Sequence, residues 1–401
     1  AISPDGKFVA YVVGTVDKAA NRTKTDIWLV ALGANGAAQG EPRLIISSPK
    51  SDNHPRWSPD SKTLSYISTS SGTAQIYLYD IATGAQRQLT SHYTGASQQM
   101  FSPDGTMMAF VSSVYPEYSA KGFVECQKLT KERDEAFEAS KMKGVVFDRL
   151  LYRHWDSWTD FKRMHIFVVP VAGGEPRNLT PGDRDAVPSS STFSAGDDFH
   201  WSPDGKEIAY TASVLPAREE AWRTNSEIVT VDVKTGVQKT LTESNPAADA
   251  YPRYSPDGKW LAYRAQSRAG FEADKWDIVL LDRAKGTSSR ITAKWDYSAD
   301  QFEWVSDSKS IVVIVQDNAE EVLYQLPIDG KTAPKKLSEA GTASALSIAS
   351  NGLIAFAHSI LRRPNEVMVQ NLKDKTPEHK HLTDVNGKAL AEIEFGKVEK
   401  I

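Results

Sequence analysis

The chain has 401 residues, 40% of them apolar and 24% charged, with a formal net charge of −4 and one cysteine, Cys126. Charges of both signs are interspersed, so there is no basic stripe for nucleic acid, and no apolar run approaches the ~20 residues of a membrane span. One thiol excludes an internal disulfide and any multi-cysteine metal site, and it fits a cytoplasmic or a periplasmic protein equally.

Read from the N-terminus, one phrase recurs. Ser3-Pro4-Asp5-Gly6-Lys7 with Val9-Ala10-Tyr11 is followed by Trp57-Ser58-Pro59-Asp60-Ser61-Lys62 with Leu64-Ser65-Tyr66, and then by Phe101-Ser102-Pro103-Asp104-Gly105. Trp201-Ser202-Pro203-Asp204-Gly205 and Tyr254-Ser255-Pro256-Asp257-Gly258 come next. Two weaker copies close the series, Trp304-Val305-Ser306-Asp307-Ser308 and, with a turn one residue shorter, Ser350-Asn351-Gly352-Leu353. Proline presets φ at the second position of a type I turn and glycine accepts the left-handed conformation that closes it, so each phrase predicts a β-hairpin. Most copies lead into a second predicted hairpin, as in Gln75 to Asp80, Thr83-Gly84, and Arg87 to Thr90.

Four strands per unit result. Successive units start 55, 44, 100, 53 and 50 residues apart, and apart from the 100 this is close to the roughly 40–50-residue period of propeller blades. The predicted fold is all-β, a seven-bladed β-propeller of four-stranded antiparallel blades with WD40-like repeats over residues 1–383. Trp57, Trp201 and Trp304 are expected to pack between blades.

Insertions interrupt the period at one kind of loop, between the two hairpins of a blade: Val16–Thr25, Val114–Arg163, Val214–Thr224 and Gln266–Lys275. The Pro-Asp-Gly turns lie at the other end of the strands, so these loops are expected to share one face, and such loops commonly carry function. The longest contains a predicted helix from Leu129 to Ala139, with Gly144 placed to end it. It also holds Tyr152-Arg153-His154-Trp155-Asp156-Ser157-Trp158-Thr159-Asp160, which is either a ligand-binding cluster or a rim network with Arg153 paired to Asp156 or Asp160. Glu219 and Glu220 are adjacent carboxylates on another inserted loop, suited to an ammonium group or simply to solvent.

No catalytic centre is legible. Gly95-Ala96-Ser97-Gln98-Gln99 lacks the second glycine of a nucleophile elbow, His154 and His165 lack the carboxylate spacing of a zinc site, and no phosphate-cradling loop occurs, so no metal and no cofactor is expected. Past His381-Leu382-Thr383, residues 384–401 read as a linker whose Ile393–Ile401 portion is a strand leading onward, and Ala1 already lies inside the first motif. Both ends are expected to continue in a longer protein.

The repeated Ser-Pro-Asp-Gly-Lys phrase together with Arg153-His154-Trp155-Asp156-Ser157-Trp158 inside a third-blade insertion resembles the N-terminal propeller of the prolyl oligopeptidase family, in its acylaminoacyl peptidase and dipeptidyl peptidase V branch. That resemblance implies a non-catalytic domain gating short peptides to an α/β-hydrolase domain that follows Ile401 and carries a Ser-Asp-His triad. It implies partners limited to that domain and the peptide, with no nucleic acid and no membrane. The expected substrate contacts are Glu219 and Glu220, by likeness to the family's paired glutamates, with Arg153, Asp156 and Trp158. A TolB-like propeller that binds a protein partner is the alternative.

Overall fold

The structure, a computed structural model, describes residues 1–154, 156–188, 197–216, 218–338, 340–374 and 379–399. It consists mainly of antiparallel meanders in which sequence neighbours are strand neighbours. Sheet 1 holds Phe8–Asp17, Arg22–Leu32 and Ala38–Ile46, and sheet 2 holds Asp52–Trp57, Thr63–Ser68, Gln75–Asp80 and Gln86–Gln88. Sheet 3 comprises Ser97–Phe101, Met107–Val114, Arg163–Pro170 and Arg177–Asn178; sheet 4 comprises Phe199–Trp201, Glu207–Ala212, Glu227–Asp232 and Gln238–Thr240. Sheet 5 is Asp249–Tyr254, Trp260–Ala265, Asp277–Asp282 and Thr287–Arg290. Sheet 6 joins two such meanders, Ala299 to Lys336 and Thr342 to His381, through one parallel bridge between Glu321 and Thr342.

The turns form as their chemistry requires. In five copies the serine hydroxyl donates to the aspartate two residues on, at 2.6–2.7 Å, and the glycine N–H returns to the serine carbonyl in four of them. Gly6, Gly105, Gly205 and Gly258 take φ of +69° to +72°, and Ser61 and Ser308 adopt nearly the same φ without glycine's freedom. The weakest copy is one residue shorter, as expected: Ala349 N–H reaches Leu353 O, whereas Ser202 N–H reaches Glu207 O.

A second repeat lies in the last strands. Thr90, Thr180, Thr242, Thr292, Ser338 and Thr383 each accept a hydrogen bond at 2.8–3.0 Å from a backbone N–H near the start of their own meander's third strand. Four of these hydroxyls donate onward to Gln75, Glu227, Asp277 and Glu366. This clasp ties the fourth strand to the third where the ladder itself is only two to four residues long.

The core lies between sheets. One apolar cluster joins Val111 and Ile166 of sheet 3 to Trp201 and Tyr210 of sheet 4, another joins Tyr251 of sheet 5 to Phe302 of sheet 6, and Val9 and Val30 of sheet 1 pack on Leu353 and Val369. Trp57, Trp201 and Trp304 are buried, and their indole N–H groups donate to Ala1 O, Met100 O and Arg253 O of the preceding sheet. Interlayer packing is thus the role of these tryptophans.

Four local expectations are corrected. Val16–Thr25 is no inserted loop, because the ladder continues from Phe8↔Ala31 to Asp17↔Arg22 and the hairpin is simply long. Helix α1 runs Phe123–Ala139 and stops before Gly144; Lys143 Nζ donates to the terminal carbonyls of Phe137 and Glu138, an electrostatic cap. Sheet 1 has three strands, with only the isolated bridge Ile2↔Val9 in the place of its first. The described part of the C-terminal segment carries a short helix α2, Gly387–Leu390, and no strand, so Ile393 onward does not extend a sheet there.

Candidate functional site

Chain direction places the site. In every meander the first strand runs toward its Pro-Asp-Gly turn, so second-to-third strand connections and the exits of the fourth strands emerge at the opposite end. Residues 115–162, 213–226 and 266–276 therefore share a face, and the outgoing segment after Thr383 leaves from that same face. Glu366 anchors its start, accepting from Thr383 Oγ1, Val385 N and Asn386 N.

On this face Arg163 is the residue that brings the long insertion back into sheet 3. Its guanidinium donates to Asp183 Oδ1 at 3.0 Å, Asp185 Oδ2 at 2.9 Å and Glu220 Oε2 at 3.1 Å. Burial disfavours its charge, but Asp185 and Glu220 outweigh this and hold it above the ordinary guanidinium range. Burial in turn raises Asp185 and Glu220 despite Arg163, whereas the more accessible Asp183, which also binds Arg149, is lowered. Three carboxylates around one half-buried cation fasten the 181–188 segment and the 218–222 loop to the sheet.

Glu219 and Glu220 consequently differ. Glu220 opens a short 3-10 turn, Glu220–Trp222, and is committed to Arg163; Glu219 precedes it and is exposed. Arg218 faces Asp148 at 3.6 Å, which links the loop to the long insertion. Next to Asp148, Phe147 stacks on Trp158 (6.1 Å) and Phe161 (5.2 Å), and Tyr152 stacks on Trp158 (6.1 Å). Trp158 and Trp222 remain 66% and 76% exposed, unusually open for tryptophan.

Arg153 and Trp158 are cross-strand partners in a two-residue hairpin, with Asp156 exposed in its turn, and Trp155 lies outside the described residues. Of the two partners expected for Arg153, Asp156 or Asp160, Asp160 ion-pairs with Lys162 at 3.3 Å. Lys162 also reaches Asp134 of α1 and lies over Tyr115, so the insertion is braced from below. His165 is buried, with Nε2 on Gly182 O and Nδ1 on Asn178, and burial lowers its pKa to about 4. It is a packing residue.

A second charged cluster, unforeseen from sequence, sits where the first strands converge. Asp197 ion-pairs with Arg56 of sheet 2 and lies 3.6 Å from His54; Arg253 of sheet 5 donates to Asp197 O at 2.8 Å and pairs with Glu303 of sheet 6 at 3.4 Å. Arg253 also covers the Tyr251 ring at 3.6 Å. Burial opposes the charge of Asp197, but Arg56, His54 and Arg253 hold its carboxyl far below the usual range. His54 and Tyr251 have positive φ within bulges of these strands, which re-aim the residues that follow. The signal was present: Arg56, His200, Arg253 and Glu303 all occupy the position before the repeated aromatic.

No family model matches the sequence. Dipeptidyl-peptidase 5 of Porphyromonas endodontalis is 28% identical over 404 residues, covering 100% of this chain and 55% of that protein. Dipeptidyl-peptidase 5 of Porphyromonas gingivalis is 26% identical over 332 residues, covering 82% and 46%. The chain thus spans about half the length of these relatives. Among solved structures, an acylaminoacyl peptidase in complex with Z-Gly-Gly-Phe-chloromethyl ketone superposes with a TM-score of 0.70 at 14% identity, covering 98% of this chain and 53% of that one. The β-propeller domain of the Trilobed protease from Pyrococcus furiosus superposes with a TM-score of 0.61 at 13% identity, covering 98% and 97%. The chain is thus similar in sequence to dipeptidyl-peptidase 5, and in fold to the β-propellers of an acylaminoacyl peptidase and of the Trilobed protease.

Proposed function

We propose that these residues form the seven-bladed propeller of a serine exopeptidase, a non-catalytic ring that gates short peptides to an α/β-hydrolase domain outside the 401 residues. This reading counts the two meanders of sheet 6 as separate blades, and the packing of sheet 1 on the last meander supports it. The observation that carries the reading is the shared face: inserted loops and the outgoing segment emerge together, beside a whole-length likeness to dipeptidyl-peptidase 5 that covers only 55% of that relative. A catalytic domain docked there would meet the exposed aromatics and Glu219. In this arrangement Glu219 attracts the peptide's N-terminal ammonium, Glu220 and Arg163 hold the loop, and Trp158, with Arg153 and Asp156 beside it, borders the entrance.

The test compares substrates with free and blocked N-termini in the parent protein. Glu219→Ala is expected to lower kcat/KM for free dipeptidyl chromogenic substrates about tenfold, the equivalent of ~1.4 kcal/mol, and to leave acylaminoacyl substrates unchanged. Equal losses on both remove Glu219 from the site. Turnover by the 401-residue chain alone would overturn the non-catalytic assignment.

A further inference from the structure

We propose that the cleft between sheets 4 and 5, on the face opposite the inserted loops, binds an extended acidic peptide segment bearing apolar side chains. The cleft measures about 840 Å³, within the range of ligand sites. One wall is the outermost strand of sheet 4, Gln238–Thr240; the other is built from two turns of sheet 5, the Pro-Asp-Gly turn at Gly258 and the turn at 282–286. The two turns lie at the turn end of the strands, and Gln238–Thr240 runs back from that end. A domain docked on the inserted-loop face leaves the cleft open.

Its charge is the opposite of the chain's. Lys239, Lys259, Arg283 and Lys285 line it against two carboxylates, Glu207 and Asp282, in a protein of net charge −4. Both carboxylates are already engaged. Glu207 Oε1 accepts from Tyr254 Oη and from Arg283 Nη2, each at 2.8 Å, and Arg283 is fixed further by Gly258 O at 2.7 Å and by the Tyr254 ring beneath it. Asp282 Oδ1 accepts the backbone N–H groups of Ala284 and Lys285 at 3.0 Å. The three lysines are exposed, and among the described residues Lys259 and Lys285 ion-pair with aspartates of their own turns, at 3.4 and 3.3 Å.

The floor is apolar. Leu241 comes from sheet 4, and Leu261 and Leu281 are direct cross-strand partners in sheet 5. An inorganic anion would satisfy the lysines and leave this floor wet; a basic or neutral chain would leave the cations unmatched. An extended chain alternating carboxylates with Leu or Phe matches both surfaces, since alternate side chains of a strand point to opposite sides.

Fluorescence anisotropy with a labelled heptapeptide alternating Glu with Leu and Phe tests this on the 401-residue chain. Saturable binding is expected, weakened several-fold between 50 and 200 mM NaCl and at least tenfold by Lys239→Glu with Lys285→Glu. The neutral pair Lys239→Gln with Lys285→Gln, which adds no repulsion, should weaken it severalfold. The same peptide with Ser in place of Leu and Phe should bind at least fivefold less tightly. No saturation by 1 mM peptide, binding unaffected by both lysine pairs, or equal binding of the Ser peptide would each overturn the proposal.

Discussion

Arg253, buried, and Arg163, half-buried, are both cations held by carboxylates from other parts of the chain, yet they do different work. Arg253 is 3% exposed as a side chain and joins sheet 5 to sheet 6 through Glu303 and to the approach of sheet 4 through Asp197 O. Arg163 is 13% exposed, and its three carboxylates come from the 181–188 segment and one inserted loop. The first locks the repeated framework to itself; the second locks loops to the framework. The contrast teaches that a repeat fold keeps its most buried charges where repeats meet, and its more adjustable ones where function is grafted on.

Breaking each arginine should separate the roles. Arg253→Ala leaves Glu303 without its buried cation and uncovers Tyr251, and is expected to cost about 3–5 kcal/mol, read as a lower urea midpoint with the slope unchanged. Arg163→Ala is expected to cost less than half of that, while amide exchange accelerates selectively over 181–188 and 218–222. Uniform acceleration across all sheets in Arg163→Ala, or a local effect only in Arg253→Ala, would erase the distinction.

A buried carboxyl within the framework sharpens the comparison, because among the described residues it has no ion-pair partner of the kind Arg253 has in Glu303. Asp249, in the first strand of sheet 5, is fully buried; Oδ1 accepts from Asn245 at 2.8 Å, and Oδ2 has no hydrogen-bond partner. Burial pushes its pKa up to about 8, with neighbouring Glu227 adding to the rise and Asn245, Thr242 and Arg290 opposing it. The folded state therefore retains a proton that the unfolded chain releases near the ordinary carboxyl value. This contribution to stability is complete below about pH 4 and is lost as pH climbs to 8. Asp249→Asn keeps the Oδ1 acceptor and removes the titration. The variant should gain Tm relative to the parent steadily from pH 5 to pH 8. A pH-independent difference would show that Asp249 is charged in the fold.

How much of this was legible follows from range. The Pro-Asp-Gly turns need only five consecutive residues, so sequence located them, down to the shortened copy before Leu353. The tryptophans were legible as packing residues, but not their N–H donors' targets, which lie on the preceding sheet. Arg163 escaped notice because its partners are 20 to 57 residues away. Glu219 and Glu220 looked like a pair because they are adjacent, whereas the 3-10 turn commits one to Arg163 and exposes the other. Val16–Thr25 looked like an insertion because a long hairpin and a loop differ only in pairing, which composition does not report.

The smallest expected effect concerns two copies in which serine stands in place of the turn glycine. Ser61 and Ser308 stand where glycine closes the other turns, at φ of +61° and +58°, a conformation that costs a non-glycine residue on the order of 1 kcal/mol. Each hydroxyl accepts a backbone N–H from the turn of a neighbouring sheet: Asp5 N to Ser61 at 3.1 Å and Asp257 N to Ser308 at 3.0 Å. Such a bond contributes about 0.5–1.5 kcal/mol, close to the strain it offsets. Ser308→Gly exchanges one for the other and should change stability by less than about 0.5 kcal/mol, whereas Ser308→Ala keeps the strain, loses the bond and should cost about 1 kcal/mol. If both variants were equally stable, the inter-sheet bond would carry no weight and these copies would be eroded turns; a gap between them makes them turns that gave up conformational ease for a link between sheets.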